Sequence, residues 1–272
     1  KHIAYQWLKQ GNWPRNENSD KFWADLKEIL PQVKYFEFTG GEPFMIQEHF
    51  DLLKFAADNG YAENIEIHYN TNGTQFPEEF IETWKKFRKV EIAFSIDNTG
   101  ERFEFERSGA KWAEVEANIN RFHELKKDWP QLLTQVCMTI NVQNVLYLEE
   151  LCKWVILQNF DYDYFNMMHE PRHMYIGAMT EEAKALVIER LTNGDFIPRH
   201  RKEIDKIIQF IKNGETRDNA QFLKEMQRTD RFRGEDFAKT HNEIAIAMGY
   251  DKTWYIMHGA LDAHIPKSAN RT

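Results

Sequence analysis

Apolar residues recur along this chain at two intervals, and the interval switches at regular points. In Asp20–Leu30 (DKFWADLKEIL) they fall at helical spacing, and the run stops at Pro31. Lys34–Phe38 is a short apolar strand that runs into Gly40–Gly41. Gln47–Asn59 returns to an amphipathic helix, closed by Gly60. A strand follows over Asn64–Tyr69, ending in the loop NTNG at 70–73. Pro77–Phe87 reads as a helix with proline at its N-terminus. The pattern then predicts a strand over Val90–Ile96, a long helix over Lys111–Lys127, a strand over Leu132–Val142, a helix over Val145–Leu157 and a fifth strand over Tyr162–Met168. From Thr180 onward helix dominates, with breaks near Asn193–Gly194, Asn213–Gly214 and Gly234.

Strands alternating with helices argue for an α/β fold with a parallel sheet and helices packed outside. Right-handed crossovers would curl such a sheet into a partial (β/α) barrel. Residues 1–180 form the expected core, and residues 181–272 a helical C-terminal extension. In such folds the loops after the strands gather on one face, which carries the site. Gly40–Pro43, Asn70–Gly73, Ser95–Asp97, Asn141 and Asn166–His169 sit at those strand ends. Turns are polar for their own reasons, so the pattern alone leaves a purely structural reading open.

Composition narrows the field. Hydrophobic residues make up 42% of the chain, enough for a sizeable core. The net charge of −8 argues against nucleic acid as the main partner. No apolar run approaches the roughly 18 residues of a membrane span. The opening residues hold no signal-peptide core, and two cysteines are too few for a disulfide framework, so a cytoplasmic location is the default expectation. The chain opens without Met, in residues that read as the tail of a helix, which suggests an N-terminal truncation.

The stretch FEFTGGEPF (36–44) is the first candidate site. Two glycines let a ligand approach the backbone closely. Glu42 adds negative charge beside exposed carbonyls, which suits a ligand ammonium, and Pro43 stiffens the corner. A tight turn with Glu42 at the start of the next helix would use the same residues.

GGEP at the end of a strand resembles the radical S-adenosylmethionine (radical SAM) superfamily, in which this corner holds the amino group of SAM. SIDNTGERFEFERSGAKWAEVEANINRF (95–122) is similar to the family's segment in which S-x-D-G precedes an Arg, a Gly and a helix. Ser95 and Arg107, twelve positions apart, fall where relatives bind the SAM carboxylate, chemistry that suits a hydroxyl and a guanidinium. Asn98 stands in place of the family's glycine after Asp97, and asparagine also tolerates positive φ. The loop NTNGT matches as well, with Asn70 and Asn72. Asn141 falls where relatives contact the ribose, and the backbone at Met168 where they contact adenine. MMHEPRHMYIGAMTEEAK and the stretch 228–250 resemble a phage and bacterial subgroup with a short C-terminal "twitch" region. The resemblance spans roughly residues 20–250.

The resemblance implies SAM as cofactor and, in the full-length protein, a [4Fe–4S] cluster on a C-x₃-C-x₂-C loop. An electron from that cluster would cleave SAM to a 5′-deoxyadenosyl radical. Here that loop and the strand before it are missing, and Cys137 and Cys152, fifteen apart, read as buried structural thiols. No metal ligand is therefore assigned. The SAM-orienting residues (Gly40, Gly41, Glu42, Pro43, Asn70, Asn72, Ser95, Asp97, Arg107, Asn141 and Met168) are not acid–base catalysts. The chain as given should bind SAM without making the radical. Two other readings stand beside this one. They are a degenerate, non-enzymatic SAM- or nucleotide-binding relative and an unrelated β/α-barrel enzyme using Glu42 and Asp97. The substrate is open, with a peptide or other macromolecule suggested by family analogy, and a sheet edge left by a missing first strand would favour a homo-oligomer.

His169, Glu170 and His173 form H-E-x-x-x-H, whose spacing and Pro171 argue against a helical zinc site and for a loop role. Trp7, Trp13, Trp23 and Trp112 read as packing anchors, Glu78, Glu79, Glu82, Glu114 and Glu116 as solvated faces, and RHRK (199–202) as a basic run too short to bind nucleic acid.

Overall fold

The computed structural model describes residues 17–216 and 219–250. In chain order the helices are α1 (Glu17–Ile29), α2 (Gln47–Asp58), α3 (Ile81–Trp84), α4 (Gly100–Glu106), α5 (Trp112–Lys126), α6 (Leu148–Gln158), α7 (Glu181–Asn193), α8 (Pro198–Asn213), α9 (Ala220–Arg233), α10 (Phe237–Thr240) and α11 (Asn242–Ala247). The strands are β1 (Tyr35–Phe38), β2 (Glu66–Thr71), β3 (Lys89–Ser95), β4 (Leu132–Ile140) and β5 (Tyr162–Met167). They form one sheet in the order β1-β2-β3-β4-β5. The first four pair in parallel, with Phe36 opposite Ile67, Ile67 opposite Val90 and Val90 opposite Leu132. Asp161 N–H donates to Thr134 C=O and Met168 N–H to Ile140 C=O, so β5 also runs parallel to β4. The expected α/β fold with a parallel sheet and a helical C-terminal part is what the chain adopts.

The chain divides into two compact units. The first contains Lys1–Ser95, Ala113–Cys137 and Phe160–Asp163. Its strands alternate as period 2 demands, so Ile67, Tyr69 and Thr71 are buried while Glu66, His68 and Asn70 are half-buried. Helix α2 buries His49, Phe50, Leu52, Leu53 and Ala56, one face at helical spacing. The core is aromatic. Phe44 lies 5.0 Å from Tyr69 and 5.6 Å from Trp84, ring centre to ring centre. The Tyr69 hydroxyl accepts from Trp84 Nε1 at 3.2 Å and lies 3.1 Å from His49 Nε2, and with His49 Nδ1 2.6 Å from the Ile46 carbonyl the polar atoms of three buried rings are satisfied. Asp161 accepts from Lys126 Nζ (2.6 Å) and Thr134 N–H (2.7 Å), fixing where β5 starts.

The second unit contains Ile96–Trp112, Met138–Asn159 and Tyr164–Thr272. Its core gathers on Phe237, which is fully buried and contacts Phe105, Phe222, His241 and Tyr250. Trp112 packs between Phe103 and Trp154, as an anchor would.

Several expectations are corrected. Pro77–Phe87 is not one helix: a 3₁₀ turn at Glu78–Phe80 leads into the single turn α3, because Trp84 and Phe87 turn inward to fill the core. Asn70 lies inside β2 rather than in the loop. Asn98 does not take positive φ; the left-handed residue of that turn is Gly100, at +59°. Cys152 is buried, but Cys137 is half-buried, because the alternation of β4 places it on the row opposite Val136 and Met138. In the basic run, His200 is buried and Arg201 donates to the carbonyls of Leu191 and Gly194 at the end of α7. Trp7 and Trp13 lie outside the described residues.

Candidate functional site

The glycine corner belongs to the first unit. Gly40 and Gly41 follow β1 with φ of +85° and +58°, a backbone that side-chain-bearing residues rarely adopt. A Cβ on either would meet nothing within 4 Å. Backbone conformation therefore selects glycine here, and the space beside this backbone is open. Glu42 then turns extended and caps the 3₁₀ turn Pro43–Met45. Its Oε1 accepts from Thr71 Oγ1 (2.8 Å) and Phe44 N–H (3.2 Å), and its Oε2 accepts from Asn72 N–H (2.8 Å). One carboxylate thus ties the loop after β1 to the end of β2. Phe44, packed in the aromatic core, anchors the corner from below.

The loop after β2 is organised just as locally. Asn72 Oδ1 accepts from Thr74 N–H (2.9 Å) and Thr74 Oγ1 (2.6 Å), and Thr71 Oγ1 accepts from Gly73 N–H (3.0 Å). Asn118 donates to the Gly73 carbonyl at 2.9 Å. Asn70 donates to Glu37 at 3.4 Å. Ser95 ends β3 half-buried, and its hydroxyl makes no hydrogen bond among the described residues.

The other expected residues belong to the second unit and are engaged there. Arg107 Nη2 donates to Asp97 Oδ2 at 2.6 Å, while Asp97 Oδ1 accepts from Thr139 N–H at 2.7 Å. Arg107 Nε is buried without a hydrogen-bond partner among the described residues. Asn141 is 4% exposed; its Nδ2 donates to the Thr139 carbonyl (3.1 Å) and its Oδ1 accepts from Gln143 N–H (2.8 Å). Met168 closes the pairing of β5 with β4 through its N–H.

Sequence reasoning missed a buried polar network beside Asp97. Glu106 accepts from Asn98 Nδ2 at 2.9 Å and lies 3.4 Å from His241 Nε2. Burial, with the Asp97 charge adding to it, pushes the Glu106 carboxyl up to about 8. Burial also lowers His241 to about 3, with Arg102 contributing. Arg102 donates to Asn98 Oδ1 (3.1 Å), pairs with Glu150 and lies 4.1 Å over the Tyr147 ring. No motif announces these residues, since a buried Glu and a solvated one look alike in a helix.

In the H-E-x-x-x-H stretch, His169 is exposed beside Tyr175 and Phe210, and Glu170 pairs with Arg172 at 3.3 Å. Among the described residues, no three His, Cys, Asp or Glu side chains are placed to hold a metal ion.

The family model described as the radical SAM superfamily matches residues 5–155. No curated protein matches the chain. Among solved structures, native anSMEcpe with bound AdoMet is 17% identical, with 72% of this chain and 58% of that one covered and a TM-score of 0.44. A polyhistidine-tagged form of anSMEcpe with bound AdoMet is 18% identical, with 63% and 48% covered and a TM-score of 0.45. Native anSMEcpe with bound AdoMet and Cp18Cys peptide is 16% identical, with 61% and 50% covered and a TM-score of 0.42. The chain thus spans about half the length of these structures.

Proposed function

Because the chain belongs to the radical SAM superfamily and carries a partial β/α fold of that type with a helical C-terminal part, we propose that the glycine corner of its first unit binds the methionine end of SAM. The observation that carries this reading is the open space beside two successive left-handed glycines, followed by a carboxylate held in place. Three donors occupy Glu42. A carboxylate offers about four acceptor sites, so one stays available to a ligand ammonium. The Gly40 and Gly41 carbonyls supply further acceptors, and the Ser95 hydroxyl a donor. The expected carboxylate contact of Arg107 is a separate proposal, because Asp97 now holds that guanidinium.

In the superfamily SAM supplies a 5′-deoxyadenosyl radical at a [4Fe–4S] cluster. The 272 residues contain two cysteines, one in β4 and one in α6, and this donor set does not fit a cluster held by three thiolates. The radical reaction therefore requires thiolates beyond the two in this sequence. A peptide or other macromolecular substrate rests on family analogy, and no residue is assigned to it.

Calorimetric titration of the full chain tests the proposal. SAM is expected to bind, and Glu42→Gln to weaken binding about tenfold. 5′-Methylthioadenosine, which lacks the amino-acid end, is expected to bind far more weakly and to ignore Glu42→Gln. Equal binding of the two ligands, or indifference of SAM to the substitution, would overturn it.

A further inference from the structure

We propose that a small cavity in the second unit, beneath Arg172 and His173, binds a carboxylate carried next to a single apolar side chain. The cavity measures about 120 Å³. An apolar cavity of about 150 Å³ holds a benzene-sized ligand, so this one accommodates an isobutyl or similar group and no nucleotide. Its floor is formed by Val142, Met179, Phe222 and Met248, each buried to 2% exposure or less. Burying an aliphatic group against them is favourable by about 25 cal/mol per Å² of apolar area.

The mouth has the opposite character. Arg172 and His173 lie there on the short 3₁₀ turn Arg172–Met174, and no carboxylate lines the cavity. Arg172 does pair with Glu170 at 3.3 Å, but both side chains are about three-quarters exposed, at 75% and 72%. Such a surface pair is weak, so a ligand carboxylate can take the place of Glu170. His173 makes no hydrogen bond among the described residues and is a second donor toward an anion. Of the other polar residues at the rim, Asn219 Nδ2 donates to the Met248 carbonyl and Gln221 Nε2 to Glu225, while Tyr175 also lines the cavity and its hydroxyl makes no hydrogen bond among the described residues. A ligand carboxylate therefore meets the Arg172 guanidinium together with the His173 and Tyr175 donors, whereas an amide lacks the charge that the guanidinium favours.

This site accounts for part of the H-E-x-x-x-H stretch. His173 lines the cavity, whereas His169 lies against Tyr175 and Phe210 and Glu170 only tempers Arg172. The ligand is either a small free acid or the C-terminal residue of a peptide, since both present an α-carboxylate beside a side chain.

The test uses the full chain with ¹³C-methyl-labelled methionine, titrated with N-acetyl-leucine, N-acetyl-leucinamide and a pentapeptide ending in leucine, free or amidated. The Met179 and Met248 methyl signals are expected to shift saturably with N-acetyl-leucine and at least about fivefold more weakly with its amide. Arg172→Gln, on an exposed side chain, is expected to lower affinity about tenfold, and Ala178→Leu to fill the cavity and remove binding. Tighter binding of the free-ended pentapeptide than of N-acetyl-leucine assigns the site to chain termini; the reverse order assigns it to small acids. Absence of a shift at about 10 mM, equal affinity of acid and amide, or indifference to Ala178→Leu overturns the proposal.

Discussion

Arg107 is paired with Asp97, its Nη2 donating across 2.6 Å, while a backbone N–H from Thr139 holds the other oxygen of the same carboxylate. If Arg107 is to meet a ligand carboxylate, Asp97 has to release it or share it. Asp97→Asn keeps the shape and removes the competing charge. Unfolding free energy is expected to fall by about 1–2 kcal/mol, because a part-buried guanidinium loses its counter-charge, and denaturant titration reads the effect.

Gly40→Ala and Gly41→Ala separate folding from binding. Neither new Cβ meets protein atoms within 4 Å, so each substitution costs only backbone strain, about 1 kcal/mol. The thermal midpoint is expected to drop by a few degrees. A loss of SAM binding larger than that strain implies would show that the new methyl group stands where the ligand approaches.

Thr71→Val removes one of three donors to Glu42, and with it the acceptor of Gly73 N–H, at nearly constant shape. A hydrogen bond to a charged group contributes about 1.5–3 kcal/mol, less here because Glu42 is half-buried. Stability is expected to fall by about 1 kcal/mol, measured by urea titration.

Stability should decline on the alkaline side because of Glu106. Its folded-state pKa is raised to about 8, so the folded state keeps a proton that the unfolded chain releases near its ordinary value of 4.5. Stability is therefore greatest below about 4.5 for this group and falls as pH rises toward 8, by a few kcal/mol in all. Glu106→Gln, which can still accept from Asn98, is expected to flatten that decline in thermal scans between about pH 5 and pH 9.

The acid side is governed by buried imidazoles. Burial lowers His49 and His123 to about 4 and His241 to about 3. Each is protonated in the unfolded chain below its ordinary 6.5 while the folded protein still resists. Stability is expected to fall from about pH 6.5 downward, and His123→Gln to make that fall shallower.

Much of the architecture was legible because sheet strands betray themselves by alternation. The Leu132–Ile140 run buries every second residue, and its ends were placed within two positions. Helix α4 was not foreseen, for the same reason in reverse. GERFEFE alternates aromatic and acidic residues like a strand, yet it is a helix with both Phe103 and Phe105 buried. The two rings point to different sides, one toward Trp112 and the other toward Phe237 and His241, so the short helix is packed on two faces. The glycine corner was readable because only glycine suits its backbone. Neither the Asp97–Arg107 pairing nor the Glu106–His241 contact could be read, since both depend on partners brought together by folding.

The strand order has a consequence for how the chain reaches its native state. Each strand sits beside the one synthesised just before it. Parallel pairing normally demands costly long-range closure, but here every closure spans a single strand–helix repeat. A ribosome-bound chain can therefore add strands one at a time as they emerge, extending a partly formed sheet instead of waiting for the last residue to leave the exit tunnel.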